Sequence, residues 1–338
     1  MNRKFSPAGF LSAFLVFALY AAASAAETKI TIGYAAVSPR TLPLIIAQEQ
    51  GLFAKHGIET RLVLIKGAPI LVASLISGDI EVGYTGGPSV IGAAAQGTYL
   101  KILASVSSKL THTVIANPSI KTAENLKGKK FGIQSIGGST WMHTMLALEH
   151  MGIDPKRDNV SLLVVGDSVV IGQALEAGRV DAAVLDGALM RRLKNKGFSV
   201  IVDLQPFNIP MLNQAIVVSS DYLQKHADTV EKILMTLVES LAFSLAPANK
   251  PIVIKTMMRR FQINDPTVGE EGYQDYLTSV ERKPIPSLDA LRNIRRLMAV
   301  QNPKVANVKV EDLVESRLIR KLDESGFIDR AGATYGLK

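Results

Sequence analysis

Short apolar stretches alternate with helical stretches of about ten residues from residue 29 to about residue 220, and small-residue loops join them. That alternation admits few folds, because a strand buried on both faces needs a helix on each side to cover it. The pattern predicts strands over 29–34, 59–65, 80–84 and 100–106. A second block has strands over 112–116, 131–133, 160–165, 181–185 and 198–203, and a last strand over 215–219. Helices are expected over 41–50, 67–77, 90–95, from Ser139 or Thr140 to Met151, over 167–177 and over 187–196. Beyond Tyr222 the chain reads as almost wholly helical. There Val230, Leu234, Leu237, Val238 and Leu241 share one apolar face. The fold class is therefore α/β, with a parallel, helix-covered sheet, and the second block repeats the plan.

The clearest single unit is Lys130 to Met142: a strand with Phe131 and Ile133 inward, the loop residues Gly137 and Gly138, then a helix. A glycine turn lets backbone approach a ligand, and the first helical N–H groups lack partners of their own. Together with the Ser139 and Thr140 hydroxyls they suit an anion or polar acceptor; equally, Ser or Thr there only caps the helix. Similar loops follow other strands. Ser38, Arg40 and Thr41 follow the first: Arg40 can fork onto an oxyanion or stand in solvent, and Thr41 can bind ligand or cap. Tyr84, Thr85, Gly86, Gly87 and Ser89 follow the third, where glycines permit close approach or serve only the turn. Trp141, the sole tryptophan, is an aromatic wall or a packing anchor. Asp186 ends the strand 181–185 and either faces a ligand donor or caps the next helix. Arg40 and Asp186 on opposite blocks would suit a zwitterion.

Composition removes whole classes of function. The absence of cysteine excludes disulfides, thiol catalysis, zinc–thiolate sites and iron–sulfur clusters. The five histidines show no metal-ligand spacing and read as solvated or locally bonded side chains, so no metal and no cofactor are expected. The net charge of +8, or +6 without Arg3 and Lys4, is spread thinly, with no basic stripe interleaved with aromatics, which argues against nucleic acid. At the N-terminus a basic Asn2-Arg3-Lys4 precedes an apolar run and Ala23-Ser24-Ala25-Ala26. Residues 1–26 are thus expected to be a cleavable export signal, without the cysteine of a lipoprotein. No Gly-x-Ser-x-Gly nucleophile elbow is present.

Four blocks carry a family resemblance. Gly51-Leu-Phe-Ala-Lys-His-Gly-Ile58, Ser77-Gly-Asp-Ile-Glu-Val-Gly83 with Ala93-Ala-Ala-Gln-Gly97, Glu124-Asn-Leu-Lys-Gly-Lys-Lys-Phe-Gly132 and Ala174-Leu-Glu-Ala-Gly-Arg-Val-Asp-Ala182 occur in order. They resemble the nitrate/sulfonate/taurine class of periplasmic solute-binding proteins of ABC importers, on the type 2 periplasmic-binding fold shared with thiamine-pyrimidine synthases. The resemblance implies two α/β lobes with ligand between them: residues 27–108 and 216–338 in the first lobe, 109–215 in the second. It also implies crossovers near 107–113 and 213–218 and C-terminal helices returning to the first lobe. It further implies a periplasmic monomer that closes on a small solute and presents it to a membrane permease with its ATPase. The expected solute is a sulfonate, carboxylate or oxyanion, with a pyrimidine or other heterocycle as the alternative. An enzyme on the same fold and a sensory receptor are the other readings. The cysteine-rich segment of pyrimidine-making relatives has no counterpart here.

Overall fold

The computed structural model describes residues 28–35 and 38–337, so the expected export signal lies outside the described residues. Two five-stranded sheets form the frame. The first contains β1 (Thr28–Tyr34), β2 (Ile58–Leu64), β3 (Val82–Thr85), β4 (Leu100–Lys109) and β10 (Pro210–Ser219) in the order β2-β1-β3-β10-β4. The second contains β5 (Thr113–Ala116), β6 (Lys130–Ile133), β7 (Ser161–Val164), β8 (Ala182–Leu185) and β9 (Ser199–Asp203) in the order β7-β6-β8-β5-β9. Each sheet is mixed: β10 runs antiparallel to β3 and β4, and β5 runs antiparallel to β8 and β9. The parallel pairing expected from the alternation holds for β2-β1-β3 in one sheet and β7-β6-β8 in the other, but not for β10 and β5, which enter directly from the other sheet rather than from a crossover helix.

Most expected elements occur within a residue or two of their predicted ends; the exceptions are the start of the helix Gly87–Ala94, the end of β4, and β10. That last strand begins at Pro210, five residues before the apolar run, because Asn213 and Gln214 interrupt the hydrophobic pattern while still lying in the strand opposite β4. The β4–β10 register slips around Gln214, and such bulges re-aim side chains. Here they bring Asn213 and Gln214 to the space between the sheets. The chain passes between sheets at 110–112 and again at 204–209, the second passage coming before the expected 213–218. The two passages are stitched together by Leu110 N–H to Ile209 O at 2.9 Å and Leu204 N–H to His112 O at 2.9 Å.

The helices after β10 return to the first sheet. The helix Ala227–Leu245 buries Val230, Leu234, Leu237, Val238 and Leu241, the face its spacing predicts, and packs on the helix Leu42–Glu49. Lys55 Nζ meets Glu239 Oε2 at 2.7 Å beside that contact. The helix Leu288–Gln301 lies over β10 and over the helix Gly87–Ala94. Two further ion pairs span from these C-terminal helices to those of the second sheet. Arg191 reaches Asp275 at 2.8 Å, and Arg296 forks onto Glu149 at 2.8 Å through both guanidinium nitrogens. No described helix is long and apolar enough to cross a membrane.

Candidate functional site

The loops after β1, β3, β6 and β8 meet where the carboxyl ends of the two sheets face each other, as ligand sites in open α/β sheets do. They enclose a cavity of about 40 Å³, room for two or three waters. Seven of the residues singled out by sequence line it: Ser38, Arg40, Thr85, Gly86, Ser139, Thr140 and Asp186. Arg40 and Asp186 do come together, but onto each other. Arg40 sits in the short 3₁₀ turn Pro39–Thr41, and its Nη1 donates to Asp186 Oδ2 at 2.6 Å with both side chains buried. Its Nη2 donates to Thr111 Oγ1 at 2.6 Å and its Nε to Ser107 Oγ at 3.4 Å. Asp186 occupies the N-cap position of the helix Gly187–Asn195 without bonding that helix through its side chain. The carboxylate serves the guanidinium rather than the cap.

The other predicted residues surround the cavity without lining it. Tyr84 is fully buried and donates its hydroxyl to Arg40 O at 2.7 Å, which holds the turn that carries the guanidinium. Thr41 is buried beneath that turn, with Ser38 Oγ 3.4 Å from its Oγ1. Gly87 packs against Leu291 and Ile294, where any Cβ would come within 3.0 Å of both side chains. Ser89 Oγ donates to Gly137 O at 3.4 Å, and both face a neighbouring groove. Gly138 follows Gly137, whose positive φ of 75° makes the turn. Trp141 is packed in the core. Thr140 Oγ1 accepts from Gln134 N–H at 2.8 Å, so this hydroxyl anchors the loop as well as lining the space.

Sequence reasoning passed over the polar centre of the site. His112, on the first passage between sheets, and His143, on the helix Ser139–His150, are both buried, with ring centroids 3.8 Å apart. They are neither solvated nor bonded to near neighbours in sequence, the two states expected of them. Burial drives both imidazoles well below the usual histidine range, and the Arg40 charge pushes the same way. His143 Nε2 lies 2.5 Å from Asn213 Oδ1, while Asn213 Nδ2 donates to Lys109 O at 2.7 Å and to Met211 O at 3.2 Å. His112 Nε2 lies 3.4 Å from Arg40 Nη1. Among the described residues, four buried side-chain atoms of the lining find no hydrogen-bond partner: Thr85 Oγ1, His112 Nδ1, His143 Nδ1 and Gln214 Oε1. Buried polar atoms are ordinarily paired, so a cluster of orphans on the residues around one cavity is chemically suited to a polar guest. Among the described residues no group of three or more candidate ligands could hold a metal ion.

Comparison with known proteins places this geometry. The family model described as NMT1/THI5 like matches residues 38–249. A Brucella abortus chain named as a binding protein is 28% identical over 235 residues, covering 69% of this chain and 72% of the relative. The taurine-binding periplasmic protein of Escherichia coli is 24% identical over 227 residues, covering 65% and 68%. Among solved structures, the alkanesulfonate-binding protein SsuA of Xanthomonas axonopodis, bound to MOPS, superposes with a TM-score of 0.69. It is 20% identical, with 87% of this chain and 100% of that one covered. The desulfurization enzyme DszB superposes at 0.61 with 15% identity, covering 88% and 99%. The two-sheet architecture is therefore the periplasmic-binding-protein fold, and that fold also carries catalysis.

Proposed function

The chain belongs to the NMT1/THI5-like family, and from that premise we propose that it is a periplasmic receptor of an ABC importer. It closes two lobes over a small anionic or zwitterionic organic solute, of the sulfonate, carboxylate or oxyanion kind, and delivers it to the permease. In this reading residues 1–26 direct export, the lobes divide at the passages 110–112 and 204–209, and the receptor works as a monomer without a cofactor. The observation that carries it is the convergence of four unpartnered buried polar atoms and one arginine–carboxylate pair on a single cavity between the sheets. A solute bearing both an acidic group and an amine can exchange partners with Arg40 and Asp186, leaving neither charge unmatched. The names of the taurine- and alkanesulfonate-binding proteins support that chemistry.

The enzyme reading has the DszB likeness behind it, but among the described residues no serine or threonine hydroxyl is bonded to a histidine ring. Ser107 Oγ is engaged by Arg40 and Asn213, and Ser139 Oγ donates to Asn213 O at 3.4 Å; neither bonds an imidazole nitrogen. The test is a thermal-shift screen of protein refolded from denaturant, so that copurified solute is removed. The panel holds sulfonates, nitrate, small carboxylates, amino acids and pyrimidines. A true ligand at a hundred times its dissociation constant adds about 2.7 kcal/mol, a shift of roughly 4 °C for a chain of this size. Recovery of that compound unchanged supports a receptor. Its conversion to product, or a flat screen across the sulfonates, carboxylates and nitrate, refutes the reading.

A further inference from the structure

Building on that receptor reading, we propose that His143 is the protonatable contact of the site: when an oxyanion enters, this ring takes up one proton and donates Nδ1–H to it. The neighbours of the two rings dictate where their protons sit. Asn213 directs its amide nitrogen at two backbone carbonyls, which only accept, so Asn213 Oδ1 is the atom facing His143. His143 Nε2 must therefore carry the proton of that 2.5 Å bond. In the neutral ring this leaves Nδ1 as a bare lone pair, and Nδ1 is the orphaned atom. His112 is the opposite tautomer. Arg40 Nη1 can only donate, so the nearby His112 Nε2 accepts, and the proton sits on the orphaned Nδ1. The pair thus offers one donor, from His112, and one acceptor, from His143.

An oxyanion satisfies the donor and is repelled by the acceptor's lone pair. Its charge also enters a cavity whose only charged lining residues among those described, Arg40 and Asp186, already cancel each other at 2.6 Å. Protonating His143 removes both problems: Nδ1 becomes a donor, and the imidazolium balances the anion. Asp186, 4.0 Å from His112 Nε2, favours the added charge, and Arg40 opposes it. The empty cavity gives the proton no such reason to stay, since the ring is buried and the neighbouring guanidinium repels it. A guest that presents an N–H donor to His143 Nδ1 needs no proton at all. The coupling therefore reports the class of ligand as well as the residue.

The experiment is calorimetric titration with methanesulfonate, acetate and nitrate, none of which carries an N–H donor, in buffers of contrasting ionisation enthalpy, repeated as the pH is lowered from neutral. The wild-type protein is expected to take up close to one proton per oxyanion bound. Affinity should tighten about tenfold per pH unit while the occupied site is protonated and the empty one is not. His143→Gln keeps an amide donor for Asn213 and should abolish the uptake; the ¹⁵N shift of Nδ1 in the wild type should report its protonation directly. Oxyanion binding with no proton uptake, or with uptake unchanged in His143→Gln, overturns the proposal and leaves the receptor reading standing. Failure of every oxyanion to bind at any pH overturns both.

Discussion

Replacing Asp186 by Ala removes the carboxylate that Arg40 meets across the cleft, and the size of the effect follows from the geometry. At 2.6 Å and an effective dielectric constant of about 20, the gross attraction is about 6 kcal/mol. Desolvation of both groups cancels much of it, yet deleting one partner of a buried pair typically costs about 3–5 kcal/mol, because the survivor is stranded. Arg40 has an escape that a core arginine lacks. It is carried by the first sheet and Asp186 by the second, so opening the cleft returns the guanidinium to water. The penalty should therefore fall on the closed form rather than on folding. A loss of about 3 kcal/mol lowers the closed-to-open ratio by roughly a hundredfold. The cysteine-free chain allows unique labels at Val200 and Ile252, exposed positions on opposite sides of the cleft, for distance measurement by energy transfer. Ligand-free Asp186→Ala should open, urea stability should change by much less than 3 kcal/mol, and a saturating oxyanion that takes the carboxylate's place should restore closure. A ligand-free variant as closed as the wild type would refute the reasoning, as would a drop in urea stability by the whole amount with no opening.

Two further outcomes rest on the same site. His112 and His143 have folded-state pKa values depressed below their ordinary 6.5, so below about pH 6.5 the unfolded chain binds protons that the folded one refuses. Stability must then fall as the pH falls through that window, by up to about 1.4 kcal/mol per pH unit for each ring, levelling off below the folded pKa. Urea titrations across pH should show this slope reduced in His112→Gln and His143→Gln, and a slope unchanged in both would contradict the burial argument. Gly86→Ala would set a Cβ 2.0 Å from Ser139 Oγ and 2.7 Å from Asn213 O. It should cost about 1–3 kcal/mol by crowding and weaken solute binding; adding Ser139→Ala relieves the inter-sheet clash and should recover part of the binding, while no recovery would place the whole cost within the first sheet.

Much of the site was legible because it follows local chain grammar. Arg40, Thr85, Ser139 and Asp186 each lie at the end of, or within six residues after, a strand whose apolar run is visible in sequence, and parallel strands place their following loops at one edge. The same grammar could not separate Thr85 and Gly86, which reach the cavity, from Gly87 and Ser89, which turn away from it within the same short helix start. That choice depends on Leu291 and Ile294, contributed by a helix about two hundred residues later. His112, His143 and Asn213 were missed for a related reason. No spacing links residues 112, 143 and 213, and a histidine on an apolar helix face gives no sign of having a ring stacked upon it. Asn213 gave the one available signal, a polar residue interrupting a strand that the fold needs to be long.

By itself the sequence determined which segments are strands and which helices accompany them. The period of its apolar residues demands helix-clad strands, the missing cysteines leave the fold to its core, and the strand-end loops mark where side chains of both signs and several hydroxyls gather. The tertiary structure decided which charges are free. Arg40 and Asp186 are opposite charges at 146 positions' separation, and only the folding of two sheets toward each other turns them from two candidate ligand contacts into one buried pair. It likewise decided that two histidines would be neutral and half-bonded, because a side chain's protonation depends on the solvent and charges around it, and those are properties of the assembled cleft.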